Sequence, residues 1–244
     1  MTNSAKRITA IAIFYVSAIG LRYYITVIKP DFFIHSNLYI HVLLQGIGPL
    51  LGGLFVIKFL KRPSGLKLFG IGFSKTLLAV SIPIVLFSLV GILNTGQLYL
   101  NAPKYIALIV IYALFEEYGW RNYLQTELSE LNKILKYVII TILWFVWHLN
   151  FQLTLSNGLF FLMLFAGSFG IGYVADRSKS LIFVALFHAF FNILQSELLQ
   201  GIELNLKLII VAISSISAIL IMKYDLKDKT AFVPTSNPYY GNDS

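Results

Sequence analysis

Eight mostly apolar stretches limit what this chain can fold into: about 8–28, 38–60, 76–94, 104–121, 135–152, 157–175, 180–199 and 206–223. Each approaches the roughly 20 residues with which a helix crosses a bilayer core of about 30 Å. Hydrocarbon offers the backbone no water, so a spanning segment must satisfy its N–H and C=O groups internally, as a helix does. The expected fold is therefore all-α: a polytopic membrane protein of about eight transmembrane helices. Only 12% of the 244 residues are charged and 57% are hydrophobic. A soluble domain carries about 25% charged residues, twice that density. The absence of cysteine rules out disulfides, thiolate metal sites and a cysteine nucleophile.

Charge orders the spans. Lys and Arg gather before the first span (Lys6, Arg7), in the second loop (Lys61, Arg62, Lys67, Lys75), in the fourth (Arg121, Lys133, Lys136), in the sixth (Arg177, Lys179) and in the tail (Lys223, Lys227, Lys229). The odd-numbered loops hold only Lys29, Lys104 and Lys207. By the positive-inside bias both termini are expected in the cytoplasm of a multi-pass cell-membrane protein. Anionic inner headgroups then account for the net charge of +8, and no nucleic-acid partner is implied. The first apolar stretch follows a basic flank as a secretory signal does. At about 20 residues it exceeds a signal core of about 7–15, and it reads as a retained span.

One membrane domain, 1–222, is expected, followed by a polar, Pro- and Gly-bearing cytoplasmic tail, 223–244, that reads as flexible. The basic, partly apolar loop 61–75 is expected to lie along the inner headgroups. In 122–136, Leu124, Leu128, Leu131 and Leu135 recur at helical spacing, which predicts an interfacial helix with Glu127 and Glu130 on its wet side. Gly48/Gly52, Ala166/Gly170 and Ser168/Gly172 are small-residue pairs that favour close helix packing.

Ionisable residues at membrane depth need a reason. Lys58 and Arg22 lie near span ends and are expected to snorkel. His35 and His41 sit at or near a loop. That leaves Glu116 and Glu117, His148, and His188 with Asn192. At about 1.5 Å per helical residue, Glu116 and His188 both fall about 12 Å from the inner face, with His148 about 18 Å in. This predicts one intramembrane polar cavity, open toward the cytoplasm. Glu117 and Arg121 share a helix face as an i, i+4 pair with the acid first, the favourable order. Glu116 is turned about 100° away, which leaves it free as an acid or base. His188 and Asn192, also i and i+4, form a pair of donors suited to an oxyanion.

The three motifs together, Glu116-Glu117-x-x-x-Arg121, then W-F-V-W-H ending at His148, then His188-x-x-x-Asn192, resemble those of the CAAX prenyl endopeptidase and bacteriocin-processing (CPBP, or Abi) family of intramembrane proteases. The likeness covers about 104–195. It departs from the family pattern F-x-x-x-H at Trp144, which keeps an aromatic ring but alters the pocket. The resemblance implies that Glu116 and His148 activate a water, that His188 and Asn192 bind the oxyanion, and that Glu117 and Arg121 support them. A desolvated glutamate suits the role of base near neutral pH.

The expected activity is thus an intramembrane endopeptidase, cutting a membrane-associated peptide or protein near the cytoplasmic leaflet. Glu116, His148 and His188 also suit an open zinc site. A mechanism with no cofactor is preferred, because Asn192 has a role as an oxyanion donor and none as a usual zinc ligand. Two alternatives belong to other classes. One is a non-proteolytic bacteriocin-immunity or scaffold protein of the same fold. The other is a proton-coupled transporter, which lacks the paired broken helices common in such folds.

Overall fold

The computed structural model describes residues 3–95, 99–196, 199 and 201–231. All the regular structure among them is helical, apart from one isolated bridge between Lys67 and Ser180. The helices are α1 (Asn3–Tyr23, extended by a wider turn over Tyr24–Ile28), α2 (Asp31–Ile34), α3 (Leu38–Gln45), α4 (Ile47–Lys58), α5 (Phe73–Thr95), α6 (Ala102–Glu117), α7 (Gln125–Glu127), α8 (Lys133–Trp147), α9 (Leu155–Ser178), α10 (Leu181–Gln195) and α11 (Leu204–Ala231). Polar residues mark the starts. Asn37, Asn132, Thr154 and Ser180 each accept a backbone N–H from the first turn of α3, α8, α9 and α10, which satisfies donors that a helix end leaves open.

Each of the eight apolar stretches is helical over most of its described residues, but they are not equivalent. By length and composition four cross a bilayer unaided: Ser4–Ile28, Phe73–Val90, Leu155–Ser178 and Leu204–Tyr224. The pair α3 and α4, bent by 45°, makes a fifth. The expected count of eight is not reached on this measure. The remaining helices, α6, α8 and α10, are shorter and carry the polar residues. At 15 residues, α8 and α10 are each about 22 Å long, below the bilayer core. They sit inside. α10 is buried nearly all round, against α6, α9 and α11, as expected of a helix that is apolar on every face.

Glycines set the closest approach. A Cβ on Gly48 would stand 2.5 Å from the Ala18 carbonyl oxygen, and one on Gly52 2.9 Å from that of Phe14, so α4 rides directly on α1. Gly172 packs against the Tyr137 ring. Gly170 meets nothing within 4 Å, so the Ala166/Gly170 pair is not a close contact at its glycine.

Two expectations about the basic end are corrected. No interfacial helix spans 122–136: the α6 helix runs on through a π-helical stretch, Tyr118–Leu124, to Glu127 and then turns before α8. Glu127 is buried, not wet, because its carboxylate is bonded to Arg62 and lies by Arg7. Glu130 stays exposed and pairs with Arg7 at 2.6 Å. Loop 61–75 is tied to the bundle. The Asn122 side chain accepts from Ser64 Oγ at 2.8 Å and from the Leu66 N–H at 2.9 Å, while Lys67 and Leu181 bond across to each other's strand of chain. Leu68 and Phe73 remain exposed beside it. Lys58 is exposed at the end of α4, in keeping with snorkelling. α11 continues past the boundary expected at 223, and the rest of the expected tail, 232–244, lies outside the described residues.

Candidate active site

The end of α6 delivers both glutamates to the interior, 1% and 0% exposed. Glu117 is the more heavily engaged. Arg121 Nη1 donates to it at 3.1 Å, and His188 Nδ1 lies 2.7 Å from the same Oε1. With a carboxylate that can only accept, the proton in the second contact belongs to His188 Nδ1. His188 Nε2 is then a lone-pair acceptor in the neutral ring and a donor in the imidazolium. The expected Glu117–Arg121 pair is present, and Glu117 has a second partner that spacing along the chain did not reveal.

Glu116 is not free. Trp144 Nε1 donates to its Oε2 at 3.0 Å. Trp144 links four groups at once. Its indole holds Glu116, its carbonyl meets His148 Nδ1 at 2.7 Å, its ring lies 4.6 Å from the Arg121 guanidinium, and its edge meets His188 at 5.2 Å. Sequence reasoning treated Trp144 as an altered phenylalanine. The available signal was the indole N–H, a buried donor that needs an acceptor.

His148 caps α8. Leu149 follows at φ 58, a left-handed conformation uncommon outside glycine, and turns the chain away just after the imidazole. Because the Trp144 carbonyl accepts, Nδ1 of His148 carries the proton and Nε2 is left as a base. His188 lies midway along α10, and Asn192 follows one turn later with its Nδ2 buried and without a hydrogen-bond partner.

His148, His188 and Asn192 line one cavity of 160 Å³ with Trp144, Phe160 and Met163. Glu116 is not on its wall, where Trp144 stands over it. The structure thus brings the two histidines and the asparagine together and sets the glutamates just behind them. The cavity lies toward the C-terminal ends of α8 and α10 and the start of α9, opposite the end that bears Arg62, Lys133 and Lys179.

Arg22, Lys207 and Asp176 are further ionisable residues in the helices. Asp176 accepts from Gln125 Nε2 at 2.9 Å and Tyr137 Oη at 2.8 Å, which ties α9 to the helix below the glutamates. His35 is exposed and His41 stacks on Phe33 at 3.9 Å, so neither joins the cluster. Among the described residues no three His, Asp or Glu side chains converge as a metal-ligand set. Of the candidate zinc donors, Glu116 accepts from the indole through Oε2, while His148 and His188 are each held through Nδ1.

Residues 98–194 match the sequence model of the Rce1-like family, described as type II CAAX prenyl endopeptidase Rce1-like. This stretch is similar to that family. Its limits agree with the 104–195 expected from the motifs, and it takes in α6 to α10 with every residue named above from Glu116 to Asn192. No curated protein matches the chain. Within the Rce1-like segment, Trp144 is the point at which the pattern expected of the family is altered, and it is also the residue that touches both glutamate-centred halves of the cluster.

Proposed function

We propose that the protein is a CAAX-type intramembrane endopeptidase, acting on a prenylated or unprenylated membrane-associated peptide. The observation that carries this reading is the convergence of His148, His188 and Asn192 on one cavity in a largely apolar bundle, within the Rce1-like segment. Water held in the cavity attacks the peptide carbonyl. His148 Nε2, together with Glu116, takes the proton from that water and passes it to the leaving amine as the tetrahedral intermediate collapses and its C–N bond breaks. Asn192 Nδ2, a donor with nothing else to bond, stabilises the oxyanion with His188 Nε2. For His188 to donate there its ring must be protonated, and Glu117 is the counter-ion beside it. Glu116 acts once the Trp144 indole moves aside or water passes it.

A second reading, a non-proteolytic immunity or scaffold protein, draws on one observation: Trp144 covers the glutamate that hydrolysis needs. Reconstitution separates the two. Purified protein in lipid nanodiscs is offered farnesylated and unmodified peptides ending in a Cys-aliphatic-aliphatic-X sequence. Cleavage that is lost in E116Q and H148A supports the protease. No cleavage of any such peptide by the wild type, in a protein that is folded, overturns it.

A further inference from the structure

A groove of 330 Å³ runs along the side of the bundle between α9 and α11, both of which pack on α10. Phe187 and Phe191 of α10 form its floor. Gly170 and Tyr173 of α9 stand on one side, Val211 and Ile219 of α11 on the other. Apart from Tyr173, Ser215 and Lys223, every lining residue is apolar. The volume lies within the range of about 300–1,000 Å³ typical of ligand sites. Gly170, Tyr173, Phe191 and Ile219 are all exposed, so the groove is open along its length. Gly170 leaves the room, since a Cβ there would meet nothing within 4 Å.

Length and charge indicate what covers it. From Val211 to Lys223, α11 rises about 18 Å, close to the roughly 15 Å that one leaflet contributes to the bilayer core. Charge stands at one end only. Lys223, exposed, closes the groove at the end where the basic loops lie, and the Arg177 guanidinium is 5.5 Å from the Tyr173 ring. The acid beside Arg177 in the chain, Asp176, is bonded to Gln125 and Tyr137 instead. Basic side chains at this level attract anionic headgroups, and a tyrosine ring suits the same interface.

We propose that this groove binds one acyl chain of an anionic phospholipid, with the headgroup phosphate at Lys223 and Arg177. A neutral lipid would fill the trough equally well and leave the two cations without a ligand, so charge selects the headgroup. Ile171 and Phe191 line both this groove and the cavity of His148 and His188, so the bound chain also backs a wall of that cavity. Such a site needs no hydrolysis and stands whether or not the protein cuts peptides.

The test uses the full chain in detergent micelles, titrated with palmitoyl-oleoyl phosphatidylglycerol or phosphatidylcholine. Native mass spectrometry counts the bound lipid, and the melting temperature is read in parallel. One phosphatidylglycerol is expected to bind about 30-fold tighter than phosphatidylcholine, since each Lys or Arg near the headgroups contributes about fivefold. K223Q and R177Q should each lower that preference about fivefold. G170L puts a side chain into the groove without a clash and should abolish retention of the lipid. G158L enters open space on the same helix but outside the groove, and should bind as wild type does. Should G170L fail to fold, K223Q and R177Q carry the test on their own. Equal binding of the two lipids by the wild type overturns the proposal. So does a preference for phosphatidylglycerol that G170L leaves intact, which would belong to the basic loops at large. Displacement of the lipid, one for one, by a farnesylated peptide gives the groove to a substrate, and a dimer that G170L dissociates gives it to a second copy of the chain. Either result sinks the phospholipid site.

Discussion

Replacing Glu117 by glutamine changes the charge balance of the cluster with little change of shape. In the native protein the carboxylate faces Arg121 at 3.1 Å and His188 at 2.7 Å, with both ion-pair side chains fully buried. Arg121 Nε and Nη2 have no other hydrogen-bond partner. E117Q therefore strands a buried guanidinium, a change that costs about 3–5 kcal/mol. For a chain of this size each kcal/mol lowers the melting temperature by about 2–4 °C, so a loss of about 6–20 °C is expected. Removing the cation as well, in E117Q/R121M, should recover part of that loss, since an apolar chain of similar volume needs no partner. It should not recover turnover. His188 would still lack its counter-ion, and losing one oxyanion donor costs about 10²–10³ in rate. The assay is thermal unfolding in nanodiscs beside cleavage of a CAAX-type peptide, for wild type, E117Q and the double variant. If E117Q melts within about 2 °C of wild type, under 1 kcal/mol, the burial argument is wrong. If the double variant regains full turnover, Glu117 does not act through His188.

E116Q keeps an oxygen to accept the Trp144 indole N–H, so its melting point should stay close to that of wild type while cleavage is abolished; an unfolded E116Q with an active E117Q would reverse the two roles. W144F restores the ring expected of the family and removes the donor that covers Glu116, so kcat/KM should rise several-fold; a fall would mean that the indole N–H is needed to position the carboxylate. Cleavage should survive strong chelation; loss that zinc alone restores would sink the metal-free mechanism. Cysteines at Ser64 and Ser129, on the basic end, should resist impermeant thiol reagents in intact cells, whereas one at Ser156, on the cavity end, should react; labelling in the opposite sense would place the cavity toward the cytoplasm.

What the chain determines by itself is the part governed by neighbours in sequence. Apolar runs with no charge become helices because hydrocarbon offers the backbone no alternative, and Asn37, Asn132, Thr154 and Ser180 mark where helices begin. The three motifs were legible for the same reason, since i, i+4 spacing alone puts Glu117 with Arg121 and His188 with Asn192 on shared faces. Partner choice was not local. Glu117 meets His188 across 71 positions, and Trp144 meets Glu116 across 28. Only packing decided that Glu116 would be covered, that Glu127 would be buried against Arg62, and that Arg22 would turn inward onto Trp147. Periodicity tells which side of a helix is polar. Which polar group on another helix it meets depends on how closely glycines such as Gly48 and Gly52 let the backbones approach, and so on the whole bundle at once.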